Sequence, residues 1–486
     1  MTVFLLGLDG ASLENLRSEM ERSDLPNFKR VIAEGYTSAL RSVYPYVTAP
    51  AWTSLFSGVN PGRHGIFDLI EVVGDRVEVP NMRRLDTPLL WEYLSWAGKK
   101  VLAMGIPFIH PAPLVNGTFI TGRLVPELSC TPLDVKSRYD LSGFAPELDR
   151  SRLAGIIHGE SNHPRKDKSG YTAALVEALA NRVKASLALI DSDKWDAVLI
   201  VDSLPDQLFH TSYSDRPMIS RMFGAFDEWL GEIIKRMDKT DTLMVVSDHG
   251  FGDVTGVFFL NEWLRSKSYV KVDDPLSAKI SRLGPARRAS RAMKRLGFFV
   301  TQSARGKSES GSEQQPNQPK ERRETAIRKP VEGSKVVARG VAVSAWIQLL
   351  ATDEGLEDSI IRELAEVKEM GLAKNVFKTR ELYSGRYSSK APGQLLVEPG
   401  EGWSVDTERI TFGSFFKRFR SQKGGHRPEG ILMIFGKSPS APKGSANICD
   451  ITPTILDLMR LPIPPNLDGT SLFADSDGAH LDLIRS

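Results

Sequence analysis

The chain has 486 residues, 41% of them hydrophobic and 25% charged, with a formal net charge of +3 and two cysteines. That is ordinary globular composition on a chain long enough to bury a large core. The near-balanced charge gives no argument for a nucleic-acid or membrane-surface role, Cys130 and Cys449 cannot make a disulfide framework or a Cys-x-x-Cys metal site, and no apolar run reaches the roughly 18 residues of a spanning helix.

Val3-Phe4-Leu5-Leu6-Gly7-Leu8 is a continuous apolar run closed by Asp9-Gly10. It reads as a central parallel strand buried on both faces. It carries neither the basic n-region nor the small-residue cleavage site of a secretory signal, so a soluble, cytoplasmic protein is expected. Leu25-Pro26-Asn27-Phe28 opens a helix ending near Gly35. Thr48 reads as the N-cap of a second helix, with Pro50 in its first turn and its end near Ser57-Gly58. Val101-Leu102-Ala103-Met104, residues 195–201 ending at Asp202, residues 242–246 ending at Ser247-Asp248, and residues 431–435 read as further buried strands. Helical patterns cover 170–189 and 218–237. Strands alternating with helices predict an α/β fold, a mostly parallel sheet with helices on both faces. Residues 273–333 break the pattern: 285–291 are strongly basic, and 306–323 hold almost nothing apolar. This insertion is expected to be largely disordered, its basic part a solvated loop or, alternatively, a short amphipathic helix near an anionic surface.

Three predicted strands end in acid: Asp9, Asp202 with Asp206 after it, and Asp248. Ligands of open α/β sheets bind at the carboxyl ends of strands. A single Asp there is usually a helix cap, but three occur here beside several of the chain's eight histidines. Asp206 and His210 are four apart, which on a helix puts both on one face. His249 follows Asp248 at a strand-to-loop corner where Gly250 is expected to permit a turn, and glycines expose His426. Imidazole with carboxylate and no thiolate suits Zn²⁺, and also Mn²⁺ or Fe²⁺. A threonine hydroxyl at the positive end of a helix suits an alkoxide or a bound phosphate.

These motifs, in this order, resemble the type I phosphodiesterase/nucleotide pyrophosphatase family of the alkaline phosphatase superfamily. The residues that carry the resemblance are Gly7-Leu8-Asp9-Gly10, Thr48-Ala49-Pro50, Asn60-Pro61-Gly62-Arg63-His64-Gly65, Pro205-Asp206 with His210, Ser247-Asp248-His249-Gly250 and Gly425-His426-Arg427-Pro428. Asp450-Ile451-Thr452-Pro453 and Leu467-Asp468-Gly469 look like the family's closing helix and loop. The resemblance implies an alkaline-phosphatase-like core over 1–262 and 337–486, with cap elements within 107–165 and 337–425. It implies two divalent metals, usually zinc: one on Asp206, His210 and His426, the other on Asp9, Asp248, His249 and the Thr48 oxygen. Thr48 is then the nucleophile toward a small-molecule phosphate ester, through a phospho-threonine intermediate.

Where nucleotide pyrophosphatases often have Asn three residues after the threonine, this chain has Ala51. No Cys or Ser sits in the C/S-x-P-x-R motif of sulfatases. A phosphomonoesterase, a phosphotransferase or mutase on the same fold, and a non-catalytic metal-binding homologue stay open as alternatives. Arg123 reads as a surface arginine or a phosphate contact, and His64 as a structural histidine bonding a turn.

Overall fold

The structure is a computed structural model that describes residues 1–73, 76–144, 168–272, 332–340, 343–438, 442 and 444–473. The insertion expected over 273–333 lies outside the described residues apart from its last two positions, as do 145–165 of the first cap stretch. The strands, in chain order, are β1 (Val3–Leu8), β2 (Tyr36–Arg41), β3 (Glu71–Val73), β4 (Arg76–Glu78), β5 (Val101–Ile106), β6 (Gly117–Thr121), β7 (Cys130–Thr131), β8 (Ala197–Asp202) and β9 (Thr242–Val246). They continue with β10 (Gly250–Phe259), β11 (Val336–Arg339), β12 (Ala345–Leu349), β13 (Ala373–Lys378), β14 (Leu395–Pro399), β15 (Trp403–Asp406), β16 (Phe416–Arg427), β17 (Glu429–Gly436) and β18 (Ala446–Asn447).

Among the described residues the main sheet has nine strands in the order β18-β2-β17-β9-β1-β8-β5-β6-β7. Its centre is parallel: β1 pairs with β8 and β9, and β5 with β8 and β6. β17 runs antiparallel to both its neighbours. Side chains of β1 alternate between two buried clusters, Phe4, Leu6 and Leu8 on one face and Val3 and Leu5 on the other. A strand buried on both faces has no polar side to show, which is why its sequence is an unbroken apolar run. Leu204–Ser212 and Arg216–Arg236 pack on the first face; Thr48–Ser57 and Ile451–Leu458 pack on the second. The expected doubly covered, mostly parallel sheet is therefore present. Among the described residues no helix is long and apolar enough to cross a membrane.

Two smaller sheets, β11-β12-β14-β13 and β15-β10-β16, are built from the second half of the chain. The four-stranded one packs with the Leu356–Glu369 helix around Trp263, Ile360, Leu364 and Val397. An aromatic cluster joins it to the segment before Thr48: Tyr44, Tyr46, Val47 and Phe67 meet Trp346, Tyr383 and Leu396.

Asp202 closes β8 as the sequence predicts, but its partner is an arginine that the sequence did not flag. Arg182, on the Lys168–Asp191 helix, grips it at 2.5 Å (Nε–Oδ2) and 3.0 Å (Nη2–Oδ1), and the Leu204 N–H donates to Oδ1 at 2.9 Å. Asp202 is buried with its charge fully committed, so it is a structural residue. Replacing Arg182 by Leu strands that carboxylate and is expected to lower unfolding free energy by about 3–5 kcal/mol. Urea titration of the Arg182→Leu variant measures this; a loss too small to resolve would show that the pair does not brace β8 against its helix.

Candidate metal centre

The expected ligands are brought to one place by the carboxyl ends of the central strands. Asp9 follows β1, Asp206 and His210 lie on the Leu204–Ser212 helix after β8, and Asp248 and His249 link β9 to β10. His426 is the second-to-last residue of β16. Four separate segments must meet, and local backbone chemistry makes that possible. Gly10 has φ +75°, and a Cβ there would stand 3.3 Å from the Asp206 Cα, so the turn after β1 can press against the Asp206 helix only with glycine. Its N–H donates to Asp248 Oδ1 at 3.2 Å.

Gly250 plays a different part from the one its sequence context suggests. It is an extended residue of β10, and a Cβ would meet the Glu429 carbonyl at 2.0 Å. Close approach to β17 demands it there, and no turn does. His426, expected to be exposed between glycines, is 8% exposed inside a strand.

Two groups form. Asp206, His210 and His426 offer ligand atoms within 4.8 Å of one another, and so do Asp9, Asp206 and His249. In the first, His210 Nε2 and His426 Nε2 each lie 3.1 Å from Asp206 Oδ1 and 2.8 Å from each other. In the second, His249 Nε2 lies 3.6 Å from Asp9 Oδ1 and 3.3 Å from Asp248 Oδ2. Among the described residues the first group has the same three residues as the first expected set; the second has Asp206 beside Asp9 and His249, so Asp206 is in reach of both, while Asp248 touches the second through His249.

The outward nitrogens fix the tautomers. His426 Nδ1 faces the Tyr46 carbonyl at 3.1 Å and His249 Nδ1 the Gly250 carbonyl at 3.1 Å. A carbonyl only accepts, so both rings carry the proton on Nδ1 and aim the Nε2 lone pair inward, as metal-binding histidines do. Asp9 Oδ1, Asp248 Oδ2 and His249 Nε2 are buried without a hydrogen bond among the described residues. Buried acceptors with nothing to accept are costly, and a divalent cation is the partner that satisfies all of them together. The residues fit the implied metals.

The electrostatics agree. Burial and the Asp206 charge push the Asp9 carboxyl up to about 8, against the opposing pull of Arg123 and the Trp52 indole. Burial and Asp9 hold Asp248 well above the carboxylate range. Burial and His426 keep His249 neutral. Arg123, partly buried, donates to the Ser203 carbonyl at 3.4 Å. With the Gln207 amide turned so that its oxygen faces the guanidinium, Arg123 Nε and Nη1 lie 2.5 and 2.8 Å from it. Arg123, Gln207, Ser203, Arg182 and Phe144 line a small cleft beside the Asp206 helix.

Thr48 is buried at the start of the Thr48–Ser57 helix, but it is not the cap. Val47 is, with φ −122° and ψ 156°. Had Thr48 capped, its N2 residue would be Pro50, which has no N–H, and the Ala51 N–H is already bound to the Val47 carbonyl at 3.1 Å. The helix therefore begins one residue early and leaves the threonine hydroxyl without a hydrogen bond among the described residues. The helix is fixed against the site at two points: Trp52, one turn after Thr48, donates from Nε1 to Asp9 Oδ2 at 3.4 Å, and Tyr46, two residues before it, holds His426. His64 is structural as expected. Its Nδ1 accepts from the Ile66 N–H at 3.1 Å, its Nε2 meets Ser54 Oγ at 2.9 Å, and burial drops it to about 3.

Comparisons with known proteins accord with this geometry. The model of the family described as Type I phosphodiesterase / nucleotide pyrophosphatase matches residues 3–411. Phosphonoacetate hydrolase from Sinorhizobium meliloti 1021, in complex with phosphonoformate, superposes with TM-score 0.55 at 15% identity over 94% of this chain and 95% of its own. Murine ectonucleotide pyrophosphatase / phosphodiesterase 5 gives 0.52 at 14% identity, covering 96% of each chain. The human protein of that name gives 0.52 at 13%, covering 97% of each. No curated protein sequence matches the chain.

A pH effect follows for the metal-free protein. Asp9 is raised from 3.8 to about 8 in the fold, so the folded form holds a proton that the unfolded form has lost. Stability from this group is present below the unfolded pKa and falls as pH rises through about 8. Between neutral pH and that value, thermal unfolding in chelator is expected at lower temperature as pH rises, and added Zn²⁺ should reverse the loss. A melting point flat with pH and indifferent to zinc would refute the cluster as a cation site.

Proposed function

Because the chain belongs to the Type I phosphodiesterase / nucleotide pyrophosphatase family, whose members are metal-dependent phosphoester hydrolases, we propose that it cleaves small-molecule phosphodiesters with Thr48 as nucleophile. The observation that carries the proposal is an unbonded threonine hydroxyl on a helix held between Asp9 and His426. Asp206, His210 and His426 would hold one ion; Asp9, Asp248, His249 and the Thr48 oxygen would hold a second, and a donor set of imidazole and carboxylate without thiolate suits zinc. When bound, such ions lower the pKa of a coordinated hydroxyl or water and offset charge on attacking and leaving oxygens.

The chain's own residues do the rest. Thr48 Oγ forms the bond to phosphorus as the ester oxygen leaves with the electron pair and takes up a proton, giving a phospho-threonine. Water then breaks that bond and restores the hydroxyl. The helix end aims the Thr48 and Ala49 amides at the incoming phosphoryl oxygens, since Pro50 has no N–H and that of Ala51 is bonded to Val47. Nδ1–H bonds to backbone carbonyls keep His249 and His426 in the tautomer that binds a cation. Ala51 is fully buried and brings no polar atom, so no side-chain amide from this position meets the phosphoryl group. Substrate choice would lie with the elements of 107–165 and 337–425. The buried free thiols Cys130 and Cys449 suit a reducing, cytoplasmic setting.

Thr48→Ala is expected to lower turnover of bis(p-nitrophenyl) phosphate by the zinc-loaded enzyme about 10³-fold or more, with the fold intact, as removal of a nucleophile does. Thr48→Ser should retain part of the activity. Full activity in Thr48→Ala would reject Thr48 as nucleophile. Parallel assays on p-nitrophenyl phosphate decide between diester and monoester preference.

A further inference from the structure

The net charge of +3 conceals a local surplus on β16. Its sequence, Phe-Lys-Arg-Phe-Arg-Ser-Gln-Lys-Gly-Gly-His-Arg, contains no acid. Lys417, Arg418, Arg420 and Lys423 are all exposed, and among the described residues none of the four forms an ion pair with a carboxylate. The facing stretch of β10 has one acid, Asp253, which lies opposite Gly424 and bonds Tyr213.

The strand is also deformed where the charges gather. β10 pairs Val254 with Lys423 and Gly256 with Arg418, so Thr255 alone faces residues 419–422, which bulge out of the sheet. Bulges of this kind re-aim side chains and often stand beside active sites; Lys423 is three residues before His426. Two cations are braced on rings: the Arg418 guanidinium lies 4.2 Å over Trp403 and donates to Thr255 Oγ1 at 2.7 Å, and Lys423 Nζ lies 4.5 Å over Phe419. Phe416 is 37% exposed at the start of the strand.

We propose that this strand docks the protein on an anionic lipid surface. Four cations spread along a strand and its bulge do not converge on a point, as the recognition of one small anion requires. Single-stranded nucleic acid would need open aromatic faces for stacking, and those of Trp403 and Phe419 are already covered by Arg418 and Lys423. Unpaired cations beside an exposed aromatic match a surface of diffuse negative charge, where each Lys or Arg contributes independently. The inference does not rest on catalysis, so it stands or falls apart from the role given to Thr48.

The test is sedimentation of the full chain with phosphatidylcholine vesicles, with and without phosphatidylserine, at low and high salt. Binding is expected only with phosphatidylserine, weakened by salt, and reduced about a hundredfold in the triple variant Lys417→Gln, Arg420→Gln, Lys423→Gln. Should that variant fail to fold, a polarity-sensitive dye on Ser421→Cys reports the contact instead, since Cys130 and Cys449 are buried. Its emission should shift blue on phosphatidylserine vesicles alone. Undiminished binding by a folded triple variant, a dye that does not respond, or tighter binding to an oligothymidylate than to the vesicles overturns the proposal.

Discussion

Three carboxylates, Asp9, Asp206 and Asp248, are buried within reach of one another, and this crowding governs everything around them. Like charges at such separations in a medium of low dielectric repel by several kcal/mol, and burial adds to the cost. Without a cation the protein can only neutralise them by protonation, as the raised Asp9 and Asp248 show. Folding of a hydrophobic α/β core thus assembles an electrostatic problem at the carboxyl ends of its strands, and the three histidines arranged around it, His249 and His426 with lone pairs inward, are placed for its solution. Stability that a bound ion returns is stability that the strands alone do not supply.

Much of this was legible in the sequence because periodicity and residue type report it directly. β1, β5, β8, β9 and β17 each hold an unbroken apolar run, which is what a strand buried on both faces requires. Asp206 and His210 share a helix face by spacing alone. What could not be read are interactions in which one partner is backbone or is distant in sequence. The Tyr46 carbonyl that sets the His426 tautomer has no side-chain signature. Arg182 is one arginine among many until the fold brings it to Asp202. The start of the Thr48 helix was misread by one residue because the motif suggests a cap, whereas the missing N–H of Pro50 removes the donor that a cap would bind. Gly250 was read as a turn, and only the neighbouring Glu429 carbonyl reveals the steric reason for it.

The second half of the chain bears on the chemistry through the short segment before Thr48. Tyr44 donates from Oη to Glu398 at 3.1 Å, and its carbonyl accepts from Tyr383 Oη at 2.7 Å. Asn375 donates to the same Glu398 at 2.7 Å. Burial and Glu398 hold the Tyr44 phenol up to about 12, so it stays a donor at any working pH. Two residues on, the Tyr46 carbonyl binds His426. The stretch from 44 to 47 is therefore anchored to the four-stranded sheet on one side and to His426 of the candidate metal centre on the other.

This arrangement separates what the family chemistry requires from what this chain is free to change. The buried acidic and imidazole side chains Asp9, Asp206, Asp248, His249 and His426 and the backbone bonds that orient them are mutually dependent, because their charges and lone pairs face one another out of water. Ala51 lies outside that set: it is buried in the core and brings no polar atom, so a methyl at this position does not enter the balance among the carboxylates. The same holds for β16, where an exposed, acid-free bulge begins within a few residues of the buried His426. Constraint is greatest where charges are buried together and falls away over one turn of helix or a few residues of strand, which is the distance over which a metalloenzyme scaffold can take up a new substrate or surface while keeping its reaction.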